Sequence, residues 1–162
     1  MKLVPIENSK EHYCICKLWL EDSEITKWLT SALRFGKYLR IFHEQLILER
    51  ENRYFFINDN DKPIGLAGFH NIDRVDKRAE IWFLIGSNAD RGKDHATQAV
   101  TLLKEIAKND LKLVSLYALV VKPNTASIRV LEKNGFVYVG AFRKAFFLDG
   151  AYTDFLIFDW IY

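Results

Sequence analysis

The stretch from Arg78 to Leu103 constrains this chain more than any other. Glu80-Ile81-Trp82-Phe83-Leu84-Ile85 is an apolar, aromatic-rich run of strand length. Ala96, Ala99, Val100, Leu103, Ile106 and Ala107 then recur at three and four residues, which predicts one face of an amphipathic helix. Between them lies a basic turn containing Arg91, Gly92 and Lys93. A strand feeding a helix through such a turn aims unpaired backbone N–H groups, and the positive end of the helix dipole, at one spot. That spot suits a phosphate or pyrophosphate. Neither familiar glycine fingerprint is present: no GxGxxG opens the helix, and Asp94 follows Lys93 where a Walker loop needs Ser or Thr.

The rest of the chain bounds the class. Residues 1–162 read as a single domain, long enough for a real core. With 23 basic and 21 acidic residues the formal charge is only +2, which makes no electrostatic case for nucleic acid or a membrane surface. Charged residues Lys2, Glu7, Lys10 and Glu11 argue against a signal peptide, and no apolar run approaches the ~20 residues of a membrane span. Cys14 and Cys16 have no second pair to complete a zinc site, so they read as reduced structural thiols of a cytoplasmic protein. His12, His43, His70 and His95 show no metal-ligand spacing, and no metal is expected.

In order, a first strand over Lys2–Ile6 precedes a helix over His12–Leu20. A short helix capped by Asp22 or Ser23 runs through Trp28 and Leu29, and a third helix runs from about Lys37 to Arg50. Tyr54–Ile57 and Ile64–Ile72 form a hairpin across Asn58–Asp61, and the charged turn Asp73–Lys77 leads into the central strand. After the long helix, Leu113–Val121 is a strand, and Asn124 caps a helix that closes on Asn134-Gly135. Val137–Phe147 and Tyr152–Trp160 make a last hairpin. The sum is a mixed α/β layered fold around one twisted sheet.

Three segments carry a resemblance. Arg91-Gly92-Lys93-Asp94-His95-Ala96 resembles the (Gln/Arg)-x-x-Gly-x-(Gly/Ala) loop of the GNAT superfamily of N-acetyltransferases. Asn124 to Phe136 is similar to that superfamily's later motif, in its Asn-x-x-Ser opening and Glu-Lys-x-Gly-Phe close. With Ala145 to Tyr152, these segments resemble the branch containing the ribosomal-protein N-terminal acetyltransferases. The likeness covers about residues 53–160, with a weaker echo in Trp19-Leu20-Glu21-Asp22. It implies a mostly antiparallel sheet with a splayed central strand pair, and acetyl-CoA as donor. Phe83, Leu84 and Ile85 would offer backbone groups to the pantetheine arm. Arg91, Gly92, Lys93, Asp94, His95 and Ala96 would wrap the pyrophosphate, with Thr97 at its edge. Asn124 would reach the pantetheine and Ser127 would lie near the thiol.

One position departs from the pattern, because Asp94 stands where the family usually has glycine. A carboxylate beside a pyrophosphate is unfavourable unless it turns away. For catalysis, Glu80 resembles the glutamate base of the histone-acetylating members, the bland alternative being an exposed residue in the charge cluster of Lys77 and Arg78. Many relatives place Tyr four residues before the glycine of Gly-Phe as general acid. Here Leu131 sits there, which leaves Ser127, unless that serine merely satisfies a helix N–H. The implied reaction is direct attack of a primary amine in a ternary complex. Its acceptor is a protein N-terminus first, then a polyamine, amino sugar or antibiotic amine, on a monomer or homodimer. The other class of reading is a non-catalytic module that binds acyl-CoA.

Overall fold

Side-chain alternation in the strands sorts the chain into two packed faces. The computed structural model describes residues 1–7, 9–29 and 52–162. Its strands are β1 (Lys2–Pro5), β2 (Arg53–Asp59), β3 (Lys62–Asp73), β4 (Arg78–Ile85), β5 (Ser115–Val121), β6 (Val137–Leu148) and β7 (Ala151–Ile161). They form one sheet in the order β1-β2-β3-β4-β5-β7-β6. Every neighbouring pair is antiparallel except β4 and β5, which are parallel. A parallel pair needs a crossover, and helix α3 (His95–Asn109) supplies it. The other described helices are α1 (Lys10–Leu20), α2 (Ser23–Thr26) and α4 (Thr125–Lys133). The helix expected over about Lys37–Arg50 lies outside the described residues.

On one face, Phe55, Ala67, Phe69, Ile81, Leu116 and Phe158 meet the stripe Ala99, Val100, Leu103 and Ala107 of α3 and Leu131 of α4. Val100 and Leu103 are fully buried, each worth roughly 1.5–3 kcal/mol of transfer free energy. On the other face, Tyr54, Phe56, Leu66 and Leu84 pack against Cys16, Trp19 and Leu20 of α1 and Ile25 of α2. Burial pushes the Cys16 thiol up to about 12, so it acts as a small hydrophobe, while Cys14 is exposed.

The hairpin turns are tighter than expected. Asn60 and Asp61 take φ of 46° and 62°, as do Asp149 and Gly150 at 48° and 84°, so two-residue turns let the flanking strands run further. Strand β5 begins at Ser115 rather than Leu113, because the Leu113 N–H donates back to Ala107 O at 3.0 Å while its side chain stays buried. The second helix ends at Thr26, with Asp22 as its cap accepting from Glu24 N.

Candidate active site

The site starts where two strands part. Pairing between β4 and β5 covers Arg78↔Ser115, Ala79↔Leu116 and Glu80↔Tyr117 and then stops, although both strands continue. Phe83, Leu84 and Ile85 stay paired with Ala67, Leu66 and Gly65 of β3 on one edge, while no residue of β5 pairs with them on the other. A wedge lined by free backbone groups of β4 results. It can accept an extended amide-bearing chain as a strand would be accepted.

Beyond Ile85, a 3-10 turn over Asn88–Asp90 leads into the basic loop. Arg91 reaches back to Ile85 O at 3.5 Å, and Lys93 is exposed, 4.0 Å from the Asp90 carboxylate. Gly92 has φ 75° with open space where a Cβ would stand, as close approach of a ligand to backbone requires. The first bond of α3 runs from Gln98 N to Asp94 O, so the N–H groups of His95, Ala96 and Thr97 find no acceptor among the described residues. Three aligned donors at the positive end of a fifteen-residue helix, with Arg91 and Lys93 beside them, fit a pyrophosphate.

Asp94 caps this helix in the left-handed conformation, φ 64°, without a side-chain capping bond. Its carboxylate instead accepts from Lys133 Nζ and from Thr97 Oγ1, both at 2.8 Å. The Lys133 hydrogen bond, then that of Thr97, holds it below the usual carboxylate range. The negative charge is therefore engaged by α4 rather than left facing the loop.

The second wall is α4. Asn124 Oδ1 accepts from Ser127 N at 3.2 Å, which caps the helix and leaves the Asn124 amide N–H groups without a described acceptor. Ser127 Oγ is half-buried and makes no hydrogen bond among the described residues. Asn134, nearly buried, locks α4 to α3: it accepts from Thr101 Oγ1 at 2.9 Å and donates to Thr97 O at 3.2 Å and to Val130 O at 2.9 Å. Leu131 is fully buried in the core and has no acid–base role.

Glu80 is half-buried rather than an exposed member of a charge cluster. Burial raises its carboxyl above the usual range, and a hydrogen bond from Asn71 pulls against that. Register places it in a row that residue spacing could not reveal. His70 of β3 pairs with Glu80, Glu80 with Tyr117, and Tyr117 with Asp159 of β7. Directly paired residues share a face, here the face carrying Leu84 and Trp82 rather than the α3 face. Asn71, Tyr117, Asp159 and Lys133 were not recognised as site residues from sequence. Each sits in an ordinary strand or helix and gains its neighbours by pairing or packing.

Residues 1–137 match the family model of the acetyltransferase (GNAT) domain. The chain belongs to the GNAT acetyltransferase family. As a member it is an N-acetyltransferase whose donor is acetyl-CoA. It is 28% identical over 154 residues to the spermidine N(1)-acetyltransferase of Escherichia coli, covering 95% of this chain and 82% of that protein. It is 29% identical over 147 residues to the ribosomal-protein-serine acetyltransferase of the same organism, covering 87% and 78%. The crystal structure of spermidine N-acetyltransferase from Vibrio cholerae, in complex with CoA and spermine, superposes with a TM-score of 0.81. That match covers 98% of this chain and 95% of that one at 18% identity, and it shows a shared fold. Among the described residues no group of three or more His, Cys, Asp or Glu is placed to hold a metal, and no helix is long and apolar enough to cross a membrane.

Proposed function

We propose that this GNAT acetyltransferase acetylates a primary amine of a small linear polycation of the polyamine type, with Glu80 as general base. The observation that carries the reading is the row Glu80–Tyr117–Asp159: two carboxylates on one face, two strands apart, with a phenol between them. Adjacent strands lie about 4.8 Å apart, so the carboxylates are spaced by about 10 Å, suited to two cationic nitrogens joined by a short alkyl chain. Relatives named for spermidine acetylation support the same class.

In this reading His95, Ala96 and Thr97 N–H, with Arg91, Gly92 and Lys93, hold the pyrophosphate, and Phe83, Leu84, Ile85 and Asn124 hold the pantetheine arm. Bound acetyl-CoA supplies the activated acyl group. A lysine-like amine is charged at pH 7, with a reference pKa of about 10.4, and must lose a proton before it can attack. Glu80, with a raised pKa, is a stronger base than a solvated glutamate. Free N–H groups of β4 stabilise the oxyanion that develops on the carbonyl, and Ser127 Oγ stands beside the departing sulfur.

Thiol release with a panel of spermidine, spermine, diamines of graded length, monoamines and short peptides tests this. Expected is a kcat/KM for spermidine at least about tenfold above monoamines and peptides, with Asp159→Asn raising KM and sparing kcat. Peptide N-termini turning over faster than every polyamine would replace the acceptor with a protein. Such a result would follow the relative named for ribosomal-protein serine.

A further inference from the structure

Glu80 is not alone on its row, and the strand irregularity beside it has a consequence for the reaction. Pairing of β3 with β4 skips from His70↔Glu80 to Asp73↔Arg78. Asn71 stands in the skipped stretch, with φ 51° and its N–H donating to Asn52 Oδ1 at 3.1 Å. Bulges of this kind re-aim a side chain. Here the Asn71 amide donates to Glu80 Oε2 at 3.4 Å, and Tyr117, the strand partner of Glu80, lies close enough for the same amide to favour its ionised phenol. Asn71 and Tyr117 both line an open depression of about 660 Å³, together with Asp73, Arg74 and Arg78, and Glu80 does not line it. The two side chains therefore touch the base on one side and solvent on the other.

We propose that Asn71 and Tyr117 are positioning residues of the acetyl transfer: the Asn71 amide clasps the Glu80 carboxylate and the Tyr117 hydroxyl together, fixing the base in one orientation and connecting it to solvent in the depression. The proposal rests on Glu80 being the base. In one cycle the acceptor's ammonium gives a proton to Glu80, and the nitrogen lone pair forms the C–N bond as the C–S bond breaks. The sulfur leaves as thiolate and takes up the second proton, which the attacking nitrogen must lose to become the neutral amide. Glu80 then passes its proton to the Tyr117 oxygen while the phenol's own proton moves to water, so both groups end as they began. Burial, and then the Glu80 charge, keep the Tyr117 pKa above its ordinary value, so the phenol rests protonated. The described groups facing Glu80 are His70 on β3, Arg78 on β4 itself, and Tyr117 on β5, with Asp159 one strand further.

Carbon-13 NMR of labelled glutamate follows Glu80 directly and needs no acceptor. Asn71→Gly keeps the left-handed backbone and removes the amide. In it Glu80 titrates roughly half to one pH unit higher than in the wild type, because a hydrogen bond to the charged form is lost. With spermidine as acceptor, Tyr117→Phe lowers kcat about tenfold and leaves KM within about twofold. Thermal unfolding and acetyl-CoA affinity of both variants stay at wild-type values, which separates positioning from folding. Glu80 titrating at the same pH with and without the amide, or Tyr117→Phe retaining wild-type kcat, overturns the inference. Failure of the underlying base assignment shows differently, as a Glu80→Gln enzyme with wild-type kcat.

Discussion

The Asp94 carboxylate accepts a hydrogen bond from Lys133 Nζ at 2.8 Å, tying the loop at the start of α3 to the end of α4. Exposed ion pairs contribute little to stability, so the effect of this one is on where a charge points. With Lys133 in place, the carboxylate is neutralised beside the loop that would hold a pyrophosphate. Lys133→Met frees the charge and weakens acetyl-CoA binding about tenfold by calorimetry. Asp94→Gly removes both the charge and the strained left-handed aspartate, and binds several-fold more tightly than wild type. Adding Lys133→Met to Asp94→Gly changes nothing further. An additive double variant would mean that Lys133 acts on the ligand itself rather than through Asp94.

As the proposed base, Glu80 would act only when ionised. Because burial raises its pKa, the active fraction grows as pH rises through that raised value. The acidic limb of kcat/KM therefore lies above the ordinary glutamate value of about 4.3. Glu80→Gln lowers kcat by about 10²–10³-fold and abolishes that limb. A steady-state pH profile of both proteins checks this.

His70 lies between Tyr54 and Trp82, ring centroids 5.1 and 5.5 Å away, and its buried Nε2 has no described hydrogen-bond partner. Burial lowers its pKa to about 4 from an ordinary 6.5. Between those values the unfolded chain binds a proton that the folded one refuses, so stability falls as pH drops through that window and is intact above it. The loss is about 3 kcal/mol from pH 7 to pH 4. Chemical denaturation across that range shows a shallower decline for His70→Phe than for the wild type.

Gly86 follows β4 directly beneath Trp19 of α1. A Cβ there would stand 2.2 Å from the indole Cε2 and Nε1. Trp19 is 8% exposed and packed in the second core, so it has little room to yield. Gly86→Ala costs about 2 kcal/mol, read as a fall in Tm of roughly 4–8 °C. An unchanged Tm would show that α1 rides freely over the end of β4.

Much of the architecture was legible because it is local. The run Glu80–Ile85, the stripe from Ala96 to Ala107 and the cap at Asn124 each declare themselves within a dozen residues, through period, turn chemistry and capping. The basic loop was legible for the same reason, since a strand–turn–helix segment creates its own unpaired donors. In the last hairpin Phe146 is buried, whereas Phe142 and Tyr152 are 54% and 67% exposed. Alternation along a strand does not reveal whether anything covers it.

By itself, the sequence determined the order of the described strands and helices and the strand–turn–helix segment around Arg91, since these follow from contacts a few residues apart. Only the tertiary structure decided which polar residues meet. Strand pairing across β3, β4, β5 and β7 brings His70, Glu80, Tyr117 and Asp159 into one row, and helix packing brings Lys133 to Asp94. Register and packing are set by burying apolar faces far apart in the chain, and a shift of one residue would send every one of those side chains to the opposite face.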